Sequence, residues 1–98
     1  MKKHYNIIIS GRVQGVFFRA STLKKAGDLG ICGFVRNEMD GNVYIESEGQ
    51  ETALKKFIDW CHIGPPNAMV KKISVIESDS KYFTGFEIKP NAPGFTKK

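Results

Sequence analysis

Gly11-Arg12-Val13-Gln14-Gly15-Val16-Phe17-Phe18-Arg19 marks the place where one regular pattern stops and another begins. Ahead of it, Tyr5 to Val13 reads as a strand, with isoleucine at 7, 8 and 9. That unbroken apolar centre predicts burial on both faces or a central place in a sheet. Behind it, Arg19 to Leu29 reads as a helix. Leu23, Ala26 and Leu29 form the expected buried stripe, with Lys24, Lys25 and Asp28 turned outward. Gly30 follows as a left-handed stop, and Ile31 is placed to pack back on the last turn.

Working outward from this junction, Gly33 to Asn37 reads as a second strand and Asp40-Gly41 as a hairpin turn. Asn42 to Glu48 alternates, with Val43, Ile45 and Ser47 on one face and Tyr44, Glu46 and Glu48 on the other. Glu51 to Cys61 is a second helix whose inner face is Leu54, Phe57, Ile58 and Cys61, with Trp60 at its rim. Gly64-Pro65-Pro66-Asn67 breaks the chain. Met69 to Glu77 is a fourth strand and Tyr82 to Lys89 a short fifth. The order β-α-β-β-α-β with an added edge strand predicts an α+β, ferredoxin-like sandwich, two helices on one face of an antiparallel sheet. One domain is expected over residues 1–90, followed by an aperiodic tail over 91–98. Such a fold serves many unrelated functions and licenses none by itself.

Composition narrows the classes. The 98 residues, 41% of them hydrophobic, can enclose a modest core without metals or disulfides. No apolar run approaches the ~20 residues that span a bilayer, and Met1 to Tyr5 is too polar for a signal peptide, so a cytoplasmic location is expected. Cys32 and Cys61 are far apart and read as thiols, and neither they nor His4 and His62 have metal-ligand spacing. The net charge of +5 invites a nucleic-acid partner. Lys2, Lys3, Lys97 and Lys98 carry most of it, however, and His4 to Thr96 holds 11 basic against 10 acidic residues. A small anion is therefore as good a partner as a polyanion.

The strand-to-helix junction is suited to an anion. The first N–H groups of a helix lack internal partners and sit at the positive end of its dipole. Gly15 would let the backbone turn tightly, and Arg19 would offer a planar fork to two phosphate oxygens. No Gly-Lys-Ser/Thr follows, so this is not a Walker loop. On the residues alone it is equally a plain turn whose arginine points to solvent. Asn37 is the second unusual residue, because asparagine is disfavoured in strands. It reads either as a turn residue bonding its own backbone or as a neutral amide that holds a water.

Together the two segments decide more than either alone. Gly11-x-Val-Gln-Gly-Val-x-Phe-Arg19, then Gly33-Phe34-Val35-Arg36-Asn37-x-x-Asp40-Gly41-x-Val43 and Gly49, resembles the acylphosphatase family. The resemblance runs from about Tyr5 to Ile88 and includes Gly64-Pro65-Pro66 with Ala68 and Val70. It implies a small ferredoxin-like enzyme that hydrolyses carboxyl-phosphate anhydrides to a carboxylate and inorganic phosphate, with no metal or organic cofactor. It places the phosphate loop on Gln14, Gly15, Val16, Phe17, Phe18 and Arg19, the essential arginine on Arg19 and the water-positioning asparagine on Asn37. Glu38 and Met39 depart from the hydroxyl residue and proline common at these positions. The expected partners are small acyl phosphates, with inorganic phosphate as product, no specific nucleic acid, no membrane, and a monomeric chain.

Two other classes stay in view. An RNA-binding module of the same topology would stack bases on Tyr5, Phe34, Tyr44 and Phe86. Its Lys/Arg-Gly-aromatic-Gly/Ala-Phe-Val strand pattern is missing, with only Gly33-Phe34-Val35 as a fragment. A regulatory module would bind phosphate or a metabolite without turnover.

Overall fold

The computed structural model describes residues 1–92; the remainder of the expected tail, 93–98, lies outside the described residues. Strand β1 is Lys2–Arg12, helix α1 Phe18–Leu29, β2 Cys32–Asn37, β3 Val43–Gln50, α2 Glu51–Cys61, β4 Met69–Ser78 and β5 Phe86–Ile88. The strands form one sheet in the order β4-β1-β3-β2-β5. β1 pairs antiparallel with both β3 and β4, and β2 pairs antiparallel with β3. Both helices pack on one face, giving the expected α+β sandwich. The sheet is mixed rather than wholly antiparallel, because β5 runs parallel to β2, with Gly33 opposite Phe86 and Val35 opposite Ile88.

The core lies between the sheet and the helices. Ile7, Ile9, Val35, Val43 and Ile45 face Phe18, Ala26, Leu54, Phe57 and Cys61, all buried. The triple isoleucine does not mean burial on both faces. β1 is interior to the sheet, but Ile8 lies on its open side and is exposed. Helix α2 keeps its expected bounds and buried face, with Ile58 at the edge of the core. Helix α1 keeps Ala26 and Leu29 of its expected stripe but not Leu23. It starts one residue earlier and buries Phe18, Thr22 and Ala26, while Leu23 is exposed. Phe18 sets that phase, since 18, 22 and 26 are successive i, i+4 positions. The Thr22 hydroxyl tolerates burial because it donates to the Phe18 carbonyl at 2.8 Å. Gly30 closes the helix in the left-handed region, and the Ile31 N–H bonds to the Ala26 carbonyl at 2.9 Å.

Gly33 has a different task. A Cβ built there would lie 1.8 Å from the Glu46 carbonyl oxygen, and its φ is +143°. Only a residue without a side chain lets β2 approach β3 this closely.

The open face of the sheet carries a polar cluster that strand alternation cannot reveal. Glu46 and Glu48, on the face opposite the core, are nonetheless buried, as is His4. His4 Nδ1 lies 2.8 Å from Glu48 Oε2, and its Nε2 lies 3.0 Å from Glu46 Oε1 and 2.9 Å from Asn6 Oδ1. A carboxylate oxygen thus faces each ring nitrogen. The segment expected to begin the fifth strand instead wraps Glu48. The N–H groups of Lys81 and Tyr82 and the Ser80 hydroxyl donate to its Oε2, and the Phe83 N–H donates to Oε1 at 2.9 Å. Tyr82 takes a left-handed φ of 58° to complete this nest.

Two stability predictions follow from these contacts. Gly33→Ala should lose about 3 kcal/mol in urea unfolding, combining overpacking with a left-handed alanine. Gly27→Ala, inside α1 with nothing within 4 Å of the new Cβ, should instead gain ~0.5–1 kcal/mol. The second concerns acid. Burial alone would raise the Glu48 carboxyl, but the donors from Lys81, His4, Phe83 and Ser80 outweigh it and lower its pKa from the ordinary 4.5 to about 2. A depressed folded-state pKa means stabilisation that is present above 4.5 and lost as pH falls towards 2. Glu48→Gln should flatten that part of the stability–pH curve, measured by urea midpoints from pH 7 downward.

Candidate active site

A β-bulge at Ser10/Gly11 shifts the register of β1 against β4, which resumes with Gly11 opposite Val70 and Arg12 opposite Met69 just before the junction. Gly15 then takes φ +74° and Phe17 φ +63°, with Val16 between them. Alternating hand of this kind points successive N–H groups inward, the geometry of an anion nest. Gly15 meets that requirement without steric cost, and a Cβ there would touch nothing, so its need for glycine is conformational. Phe17 meets it as a bulky residue, which is uncommon.

Phe17 is also the N-cap residue of α1, and no side chain caps the helix. The first helical bond runs from the Ser21 N–H to the Phe17 carbonyl at 3.1 Å. The N–H groups of Phe18, Arg19 and Ala20 are therefore the unpaired start of the helix. A cavity of about 350 Å³ opens directly there, lined by Val13, Gly15, Phe17, Phe18, Arg19, Ala20, Asn37 and Ile88. Arg19 is half-buried and has no carboxylate partner among the described residues. It is the one charged residue in that lining.

Asn37 reaches the same cavity from the end of β2. It is 7% exposed, and its Oδ1 is buried with no hydrogen-bond partner among the described residues. A buried acceptor left unpaired costs roughly 1–3 kcal/mol, so its presence here calls for a reason. Its backbone is held from both sides: Asn37 is in register with Val43 of β3, and its carbonyl accepts the Ala92 N–H at 2.9 Å. The hairpin beyond it spans Glu38 to Asn42. The Gly41 N–H bonds to the Glu38 carbonyl, the Glu38 N–H to the Asn42 carbonyl, and Asp40 caps the Asn42 N–H at 3.0 Å. Asp40-Gly41 thus belongs to a three-residue loop with Gly41 at φ +94°, not to a two-residue turn. The Glu38 side chain turns away to pair with Arg36 at 2.7 Å, and Met39 is exposed.

The expected site residues divide accordingly. Gly15, Phe17, Phe18, Arg19 and Asn37 line one cavity. Val16 sends its side chain into the core, and the Gln14 side chain turns to the hairpin, donating to the carbonyls of Glu38 at 2.8 Å and Asn42 at 2.9 Å. Ile88 of the parallel strand β5 was not anticipated and had no local signal, because only the tertiary pairing with β2 brings it there. The aromatic platform also changes. Tyr5 and Phe86 pack against the core, and Phe34 lies beneath Arg36, Lys89 and Phe83.

The acylphosphatase family profile matches residues 5–88. The chain belongs to the acylphosphatase family. An acylphosphatase of Marinobacter nauticus is 45% identical over 83 residues, 84% of this chain and 90% of that protein. The crystal structure of the Bacillus subtilis acylphosphatase superimposes with a TM-score of 0.86 at 41% identity, covering 91% of this chain and 99% of that one. Full-length HypF, solved in its phosphate- and nucleotide-bound form, matches with a TM-score of 0.87 and 31% identity over 96% of this chain but only 13% of its own. As a member of the acylphosphatase family the chain is an enzyme, and the activity its membership supports is acyl-phosphate hydrolysis.

The adjacent phenylalanines give a direct test of this acylphosphatase loop. Phe17 is 79% exposed and left-handed, whereas Phe18 is 2% exposed and packs on Trp60. Phe17→Gly should leave the unfolding free energy from urea denaturation within ~1 kcal/mol of the parent protein, because glycine favours that backbone. Phe18→Ala should cost ~3–5 kcal/mol.

Proposed function

We propose that the chain hydrolyses acyl phosphates without a metal, Arg19 and the N–H groups from Gly15 to Ala20 holding the phosphoryl group and Asn37 aligning the attacking water. The observation that carries this reading is the meeting of an uncapped helix start and a buried, unpartnered amide oxygen at one cavity.

The chemistry asks little beyond these groups. A carboxylate is already a good leaving group, so the task is to hold the phosphoryl group, spread its charge and present water in line. The guanidinium fork and the N–H nest bind the non-bridging oxygens and follow their charge through the transition state. Water held by the Asn37 amide attacks phosphorus. The bond from phosphorus to the acyl oxygen breaks, the carboxylate leaves with the electron pair, and the water's proton passes to a phosphate oxygen. No carboxylate, imidazole or thiol is among the residues lining the cavity, so the donor set favours an anion rather than a metal ion. The reading extends to a monomeric cytoplasmic protein, to which the free thiols of Cys32 and Cys61 are suited.

Benzoyl phosphate hydrolysis, followed with and without chelator, tests the scheme. Chelator should change nothing. Arg19→Lys should lose ~3–4 kcal/mol of transition-state stabilisation, because a point charge replaces a fork. Asn37→Ala should lower kcat severely while inorganic phosphate still binds by titration calorimetry. Turnover close to the parent in either variant would overturn the assignment, and folded protein that binds phosphate without turnover would favour a binding module.

A further inference from the structure

The Gln14 side chain sits within the loop expected to cradle phosphate, yet it does not line the cavity. Its Nε2 donates to two carbonyls, those of Glu38 and Asn42, 24 and 28 residues away along the chain. Both partners are acceptors, which fixes the amide nitrogen, not the oxygen, as the group facing them. These two carbonyls are the two sides of the hairpin neck. The Glu38 carbonyl already takes the Gly41 N–H, and the Asn42 carbonyl takes the Glu38 N–H. One amide therefore grips both strands of the hairpin at the residue that follows Asn37.

This contact joins the two halves of the site. Gly15 follows Gln14 directly and begins the nest; Asn37 precedes Glu38 directly and carries the orphaned amide oxygen. β1 and β2 are not paired with one another, since β3 lies between them in the sheet. The backbone ladder thus relates the two arms only through a third strand, at the point where both arms leave regular structure. Gln14 spans that gap directly. Its two hydrogen bonds are made by the terminal amide, and their partners are main-chain atoms that substitution in the hairpin does not remove.

We infer that Gln14 is a positioning residue that sets the distance between the phosphoryl cradle and Asn37, acting through the Glu38–Asn42 neck rather than on phosphate. The inference rests on the proposed roles of Arg19 and Asn37. Misplacement by about an ångström costs up to ~10²-fold in a reaction that depends on in-line alignment. It need not abolish anion binding, because Gln14 does not line the cavity and the nest is held by its own backbone hand at Gly15 and Phe17 and by the buried Phe18.

The test uses Gln14→Met, which keeps the length and loses both donors, and Gln14→Lys, which restores a donor able to reach two carbonyls. Circular dichroism and urea unfolding establish that each is folded; should Gln14→Met fail, Gln14→Asn, too short to reach both carbonyls, replaces it. Steady-state hydrolysis of benzoyl phosphate and calorimetric titration with inorganic phosphate then separate chemistry from binding. We expect Gln14→Met to lose about 10- to 10²-fold in kcat. Its phosphate Kd should stay within about threefold of the parent, and Gln14→Lys should recover most of the lost kcat. A kcat within about twofold of the parent in Gln14→Met would overturn the inference. So would a phosphate affinity that falls in step with kcat, or a Gln14→Lys variant no better than Gln14→Met. The underlying reading fails separately: if Arg19→Lys and Asn37→Ala turn over normally, the two-armed site itself is wrong. If both lose activity while Gln14→Met does not, only the brace is wrong.

Discussion

Phe18 has to enter the core directly after the exposed Phe17, and the site follows from that constraint. Its ring packs on Trp60, and Gly64 sits so close that an added Cβ would lie 2.6 Å from Phe18 Cε2. To turn inward there, the chain must reverse hand at Phe17. A left-handed non-glycine residue costs roughly 1–2 kcal/mol. Burying a phenylalanine side chain stabilises by roughly 1.5–3 kcal/mol, so the packing wins and the strained turn is held. Because Phe17 takes the cap position with a side chain that cannot accept a hydrogen bond, the helix begins with its N–H groups unanswered.

The second arm is fixed by different forces. Asn37 is secured by β3 on one side and by the Ala92 N–H on the other. That second contact depends on the chain beyond β5, and β5 is delivered by the segment wrapped around Glu48. The Lys89 N–H continues the path with a bond to the Val35 carbonyl at 2.9 Å. A buried carboxylate on the open face and an amide at the cavity thus hold one continuous stretch of chain, residues 80 to 92, at its two ends. Asn91 and Ala92 fall on the tail side of the boundary expected from composition, yet Ala92 is buried against this arm.

Much of the fold was legible because one face of most elements is buried. Helix α2 was readable to its ends, since Leu54, Phe57 and Cys61 repeat at three- and four-residue spacing and nothing else competes. In α1 the apolar spacing finds Ala26 and Leu29 but takes the exposed Leu23 in place of Phe18, whose adjacency to the loop hides it as the first anchor of the helix. The alternation of β3 gave the correct core face. It could not show that Glu46 and Glu48 are buried too, because their cover comes from residues more than thirty positions away. The parallel register of β5 left no trace in three residues of sequence. At the site, Arg19 and Asn37 were legible as an anomaly and a motif. Ile88 and the direction of the Gln14 side chain were not, because each is decided by what lies across the sheet.

The two left-handed non-glycine residues among those described, Phe17 and Tyr82, allow a comparison within one molecule. Each is a well-exposed aromatic residue at a turn where successive N–H groups converge. At Tyr82 the converging groups are answered internally: Glu48 fills the nest, and its carboxyl is held ionised. At Phe17 they are not. None of the ten acidic residues of the chain lines that cavity, and the charged side chain that does is an arginine of the same sign as the helix end. A structural turn of this kind gains by supplying its own carboxylate, as the Glu48 nest does. Positive potential left concentrated at a cavity beside a neutral amide instead costs stability and suits an anion that arrives and departs. The difference between the two nests, more than the shape of either, is what supports the proposal that the one at Phe17 receives a phosphoryl group.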